Sequence, residues 1–300
     1  MSSRSYRLKT EEPPADGLRR IALGRAEKAL EELAGADEGQ LAEAIHGARK
    51  DLKKLRAVLR LTREELGEKL FKAENRRYRD AGRLLSGSRD TEVKLETLVA
   101  LRDRFEDDFP RQDSAGWEGT LERERDEVAD AGQGEAAKRI DQALEAIEEG
   151  RDRIRTWPLE SGSWELVGPG LSGSYRQGRR AMKRTLAKPK ARNVHEWRKR
   201  AKDLWYQLRI AQTAWPQLLG ATADQVHELA DLLGDHHDLA VLAEDLDRRE
   251  DVGARKALEP LIARRQEELL DSALDLGQRI YAEKPKAFRR RLARYWSAWR

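Results

Sequence analysis

The sequence predicts an all-α protein built as two similar helical bundles, and three observations carry that reading. Leu, Ala, Glu, Arg and Lys, the strong helix formers, fill most segments. Apolar residues recur at three- and four-residue spacing, the period of a helix with one buried stripe. Alternating β-branched runs, the mark of half-buried strands, are missing.

Taken in order, the apolar period predicts helices over 17–34, 39–63, 64–85, 89–109, 119–131, 134–156 and 171–187. It continues over 191–214, 222–234, 238–250, 254–282 and 285–299. Pro110, Pro189, Pro216 and Pro285 fall between these segments or near their ends, where proline is tolerated. Residues 156–174, TWPLESGSWELVGPGLSGS, hold the richest run of Pro, Gly and Ser and read as the connection between two halves, 1–156 and 157–300.

Composition bounds the function. Charged residues make up 38% of the 300, above the roughly 25% of ordinary soluble domains. The 39% of apolar residues, with 22 glycines, is enough for a packed core. Cysteine is absent, which excludes disulfide scaffolds, thiolate metal sites and cysteine nucleophiles. No run of about 18 apolar residues predicts a membrane span, and MSSRSYRLKTEEPPADG has no apolar core of a signal peptide, so the cytoplasm is the expected compartment.

The net charge of +4 hides a segregation of charge. Residues 46–63 carry seven Lys/Arg and one acid, residues 174–202 twelve and one, and residues 284–300 seven and none. Residues 118–135 hold seven acids in compensation. Concentrated basic segments in a nearly neutral chain focus positive potential on a polyanion.

The halves repeat. IHGARKDLKKLRAVLRL (45–61) aligns without a gap with VHEWRKRAKDLWYQLRI (194–210), matching His46 to His195, Arg49 to Arg198, Lys50 to Lys199 and Lys53 to Lys202. RLLSGSRDTEV (83–93) then aligns with DLLGDHHDLAV (231–241), matching Asp90 to Asp238. Two blocks in the same order point to a tandem duplication, whose product is two four-helix bundles related by a pseudo-two-fold axis.

On a helix of about 100° per residue, Ile45, Ala48, Leu52, Leu55 and Leu59 form one stripe. His46, Arg49, Lys50, Lys53, Arg56 and Arg60 form another, rotated by roughly a third of a turn. The second copy does the same, with Val194, Trp197, Ala201, Leu204 and Leu208 against His195, Arg198, Lys199, Lys202 and Arg209. Each basic row runs roughly 20 Å, which suits an extended anion better than one small phosphate. The bland reading is a solvated helix face. Against it stand the scarcity of acids that would form i,i+4 pairs and the recurrence of the row in a second copy.

Further basic rows join the candidates: Arg76, Arg79 and Arg83 with Lys69 and Lys72; Arg179, Arg180 and Lys183 with Arg176 and Arg184; and Arg290 with Lys286 and Arg294. His46 and His195 begin the main rows, where an imidazole donates to a phosphate oxygen, more strongly when protonated. His236, His237 and Asp238, after Asp235, invite a metal reading, but their first-half counterparts Ser88, Arg89 and Asp90 share no ligand set, and no metal or cofactor is predicted. Asp90 and Asp238 are expected to cap helices or pair with a buried base. The eight tryptophans read mainly as core, since they do not alternate with the basic residues as a base-stacking platform requires.

The doubled HxxRKxxKxL block resembles the CHAD family, named for conserved histidines in an α-helical domain. So do the opening SYRLKTEEPPADGLRRIALGRAEKAL and LLGDHHDLAVLAEDL. The resemblance implies two pseudo-symmetric four-helix bundles and binding of inorganic polyphosphate in a basic groove or pore, without catalysis. It carries over His46, Arg49, Lys50 and Lys53 in the first block and His195, Arg198, Lys199 and Lys202 in the second. It also implies association with polyphosphate granules. Three other readings stay open: a nucleic-acid binder, which shares the electrostatics but shows no helix-turn-helix, RNP or zinc-finger pattern; a metal-dependent phosphohydrolase using His236, His237 and Asp238; and a helical scaffold with no anionic ligand. No membrane partner is expected.

Overall fold

The computed structural model describes residues 5–37, 39–86, 90–131, 133–160, 162–249 and 252–300, without side chains at 90, 113, 126–131, 133 and 134. Among the described residues all regular structure is helical. The first part of the chain forms α1 (Pro14–Ala34), α2 (Leu41–Leu61), the single turn α3 (Arg63–Leu66), α4 (Glu68–Leu84), α5 (Asp90–Arg104), α6 (Arg111–Ala131) and α7 (Gln133–Ile154). The second forms α8 (Gly168–Ala187), α9 (Ala191–Ala211), α10 (Pro216–Arg248), α11 (Val252–Ile280) and α12 (Pro285–Trp299). No helix among the described residues is long and apolar enough to cross a membrane.

Three differences from the sequence expectation have physical causes. The segment 64–85 breaks at Gly67, whose φ of 74° only glycine adopts readily, which separates α3 from α4. The segment expected as 119–131 begins instead at Arg111, directly after Pro110. The pair expected at 222–234 and 238–250 is one 33-residue helix, α10. Gly234 and Asp235 do not break it, because Leu229, Leu233, His236, Leu239, Leu242 and Leu246 keep one continuous buried stripe. Asp238 therefore caps nothing and sits in mid-helix. Ser88 and Arg89, its neighbours' counterparts, lie outside the described residues.

α1, α2, α4 and α7 pack together, and α9 packs between α8 and α10, with α11 on α10 and α12 on α8. One apolar core runs through both groups, joined where α2 meets α9 and α8. The crossing of α2 and α9 is fixed by Gln207 Nε2 donating to the Ala57 carbonyl at 3.4 Å and by the Arg60–Asp203 ion pair at 2.9 Å. The N-terminal segment straps it: Tyr6 Oη donates to the Lys54 carbonyl at 3.1 Å, and Leu8 N to the Ile210 carbonyl at 3.1 Å.

A second, smaller core forms away from this crossing. Leu98 and Leu101 of α5, Phe105 just after it, and Trp117 and Leu121 of α6 pack on Leu242, Leu246, Leu258 and Ile262 of α10 and α11. A buried ion pair, Lys94 Nζ to Asp245 at 2.7 Å, and a two-pronged Arg249–Glu124 contact at 2.6 and 2.7 Å reinforce it. α2 thus packs on α4 and on α9, α9 on α10, and α10 on α5.

Candidate polyanion-binding site

The sequence stripes set the orientation of both repeated helices. Ala48, Leu52, Leu55 and Leu59 are buried on α2, with Ile45 packed at the core's edge. Val194, Trp197, Ala201, Leu204 and Leu208 are buried on α9. Burying these faces forces the basic flanks outward. His46, Lys50, Lys53 and Lys199 are exposed, whereas Arg49, Arg56, Arg60, His195, Arg198, Lys202 and Arg209 are half-buried. The acid inside the first row, Asp51, points into the protein and is 1% exposed. It holds Lys54 at 2.7 Å, Arg25 of α1 at 3.1 Å and Lys28 at 3.7 Å, so it pins α1 to α2.

The two flanks meet near the crossing. Burial holds Lys202 below the usual lysine range, helped by Arg198 on its own helix and by Lys50 across on α2, while Asp231 and Asp238 act in the opposite direction. Asp231, Asp238 and Asp245 recur every seven residues on α10 and so look the same way. Asp231 acts on Lys202, Asp238 pairs with Arg198 at 3.9 Å, and Asp245 pairs with Lys94 of α5. One face of α10 thus sees cations from α9 and from α5. Arg49, Lys50, Arg76 and Lys202 have no carboxylate within ion-pair distance among the described residues.

A denser group lies between α2, α4 and α9. Arg56 Nε donates to Asn75 Oδ1 of α4 at 3.0 Å, and Arg60 reaches Asp203 of α9. Burial, with Arg60, Arg79 and Arg83 nearby and only Asp203 opposing, holds Arg56 down to about 10. Asp203 itself is raised, chiefly by burial. Sequence reasoning missed Asp203 and Asn75 as the groups that organise this cluster. A lone acid within a basic stretch is the signal that could have found Asp203.

The equivalent histidines sit in unlike surroundings, each about three turns from the crossing on its own helix. His46 borders a cleft of about 570 Å³ between the end of α1 and the start of α2, beside Glu31, Glu32 and Glu43. His195 lies against His237 of α10, ring centroids 4.3 Å apart. Burial first, then His237, Lys199 and Arg198, lowers His195 to about 4, so it is neutral at pH 7. His237 is lowered by burial and Arg198, and Asp238 is raised by burial. The His236–His237 pair does not converge on one point: His236 is buried and His237 faces α9. No group of three or more His, Asp or Glu able to hold a metal occurs among the described residues.

The remaining candidates are scattered. Arg179 Nε donates to the Tyr281 carbonyl at 3.0 Å and ties α8 to the end of α11. Arg180 and Lys183 are exposed on α8, and Arg290 is exposed on α12, which packs mainly on α8 rather than on the crossing. Arg209 lies over the Trp205 ring, 5.7 Å from its centroid. The structure therefore gathers Lys50, Arg56, Arg60, Arg79, Arg83, Arg198 and Lys202 around the crossing and leaves the α8 and α12 rows apart.

No curated protein matches the chain. The crystal structure of the CHAD domain from the plant Ricinus communis is similar over 97% of this chain and 96% of that one, with a TM-score of 0.50 and 16% sequence identity, a likeness of fold. The CHAD domain family matches residues 24–247. The chain belongs to the CHAD family.

Proposed function

We propose that this protein binds inorganic polyphosphate without catalysis, in the cation-lined space around the α2–α9 crossing, between two bundles descended from one duplicated unit. The observation that carries the reading is the packing of the two repeated basic helices on each other, α2 on α9, with Arg49, Lys50, Arg76 and Lys202 free of carboxylate partners among the described residues. Bringing like charges together in an empty protein is unfavourable, and a bound polyanion relieves it. Lysine and arginine displace counterions condensed on the chain, and their release favours association. Arg grips phosphate oxygens in pairs, whereas Lys contributes a point charge. Association with polyphosphate granules follows from the same reading.

The test is titration of the purified protein with polyphosphates of defined length at two salt concentrations, followed by competition with DNA and RNA. The account expects salt-sensitive binding, tighter for longer chains, with polyphosphate displacing nucleic acid. Displacement in the other direction would favour a nucleic-acid binder. Release of orthophosphate on addition of a divalent metal would overturn the non-catalytic reading.

A further inference from the structure

The two helix pairs at the crossing differ in charge where the sequence repeat predicts likeness. In the first half, α4 carries Asn75, Arg79 and Arg83 at four-residue spacing, and Asn75 meets Arg56 of α2. Arg79 and Arg83 share Asp80, at 2.8 and 3.5 Å, and Arg60 has Asp203. Three of these four guanidinium groups thus have two carboxylates between them, Asp203 being shared with Arg200 as well, and Arg56 has no ion-pair partner among the described residues. The offset of the first repeated block carries Arg56 onto Trp205, and that of the second carries Asn75 onto Ala223, Arg79 onto His227 and Arg83 onto Asp231. There the Trp205 ring lies 3.8 Å from that of His227, and Asp224, Glu228, Asp231 and Asp235 line a concave acidic face. The α9 row is largely neutralised as well: Lys199 and Arg200 share Glu196, at 2.7 and 2.6 Å, and Arg198 has Asp238.

We propose that Arg56, Arg60, Arg79 and Arg83 form a seat for a short run of phosphoryl groups, so that an oligophosphate is gripped on the first-half side of the crossing while the second-half row guides only a longer chain. The inference deepens the polyphosphate reading and rests on it. Arg56 spends its Nε on Asn75 and keeps its terminal nitrogens for an anion. Asp80 and Asp203 fix the directions of the other three forks, which lowers the ordering cost of binding. The acidic face on the homologous side repels the same ligand, so the pseudo-symmetry of the halves does not extend to the anion.

The experiment is calorimetric titration with inorganic tripolyphosphate and with long-chain polyphosphate. The proteins are the unmodified protein, Arg56→Gln/Arg79→Gln, and Arg198→Gln/Lys202→Gln, with the exposed single change Arg83→Gln as the variant least able to disturb folding. Helicity and melting temperature are recorded for each. The seat predicts at least a tenfold loss of tripolyphosphate affinity in the Arg56/Arg79 variant and a clear loss in Arg83→Gln. The Arg198/Lys202 variant should lose less than threefold for tripolyphosphate but more for the long chain. Equal losses in both double variants, or a long chain that binds while tripolyphosphate does not, overturn the seat and leave the polyphosphate reading standing. Failure of the unmodified protein to bind either phosphate overturns the polyphosphate reading itself.

Discussion

Replacing Arg49, Lys50 and Lys202 together by glutamine removes three cations that have no carboxylate partner among the described residues and come from both sides of the crossing. Because none of them closes an ion pair or fills the core, each change should alter stability by no more than about 0.5 kcal/mol. Binding should respond strongly. With single-stranded nucleic acid as the guide to charge density, each lost phosphate contact lowers the slope of log K against log salt by about 0.7, so three contacts lower it by about 2. At 0.1 M salt that slope corresponds to roughly a 100-fold weaker complex. The assay is fluorescence anisotropy with end-labelled polyphosphate across a salt series, with circular dichroism as the control for folding. A normal fold with an unchanged salt slope would refute the assignment of these residues to the interface. Loss of helicity would show that they support the fold instead.

Three more predictions follow from the same geometry. Polyphosphate affinity should rise as the pH falls from 7 towards 5. The empty site favours neutral His195, held to about 4, and neutral His237, whereas a bound anion favours their protonated forms, so binding takes up protons. Titration in buffers of different ionisation enthalpy detects the uptake, and an affinity that falls on acidification contradicts it. Asp51→Ala should destabilise the protein by about 3–5 kcal/mol, since it strands the buried Arg25 beside Lys54; an unshifted melting temperature would show that the pair is not needed. Gly170→Ala should weaken the packing of α8 on α2, because the added Cβ would overlap the Leu61 carbonyl; the expected result is a lower melting temperature, and a neutral effect would mean the backbone there yields easily.

The apolar stripes and basic flanks of α2 and α9 were legible because both follow from one local period, and the buried face leaves the flank no other place to go. The long α10 was not, since Gly234 and Asp235 carry local breaker signals, and only the tertiary burial of Leu229 through Leu246 overrides them. The docking of α5 and α6 on α10 and α11 joins residues such as Lys94 and Asp245 that are 151 apart, and no local pattern announces such a contact. The same limit governed the site. Arg198 read as a free cation until α10 brought Asp238 beside it, and Arg56 read as one member of a row until α4 and Asp203 surrounded it. The matched histidines were the least transferable signal: the repeat gives them one position in sequence and two different settings in space.

Lysine-modification footprinting bears most directly on whether one anion spans both repeats. With polyphosphate added in steps to the acylating reagent, Lys50 and Lys202 should lose reactivity together, at the same polyphosphate concentration, while Lys183 on α8 stays reactive. Full modification of either Lys50 or Lys202 at saturating polyphosphate would contradict a shared site.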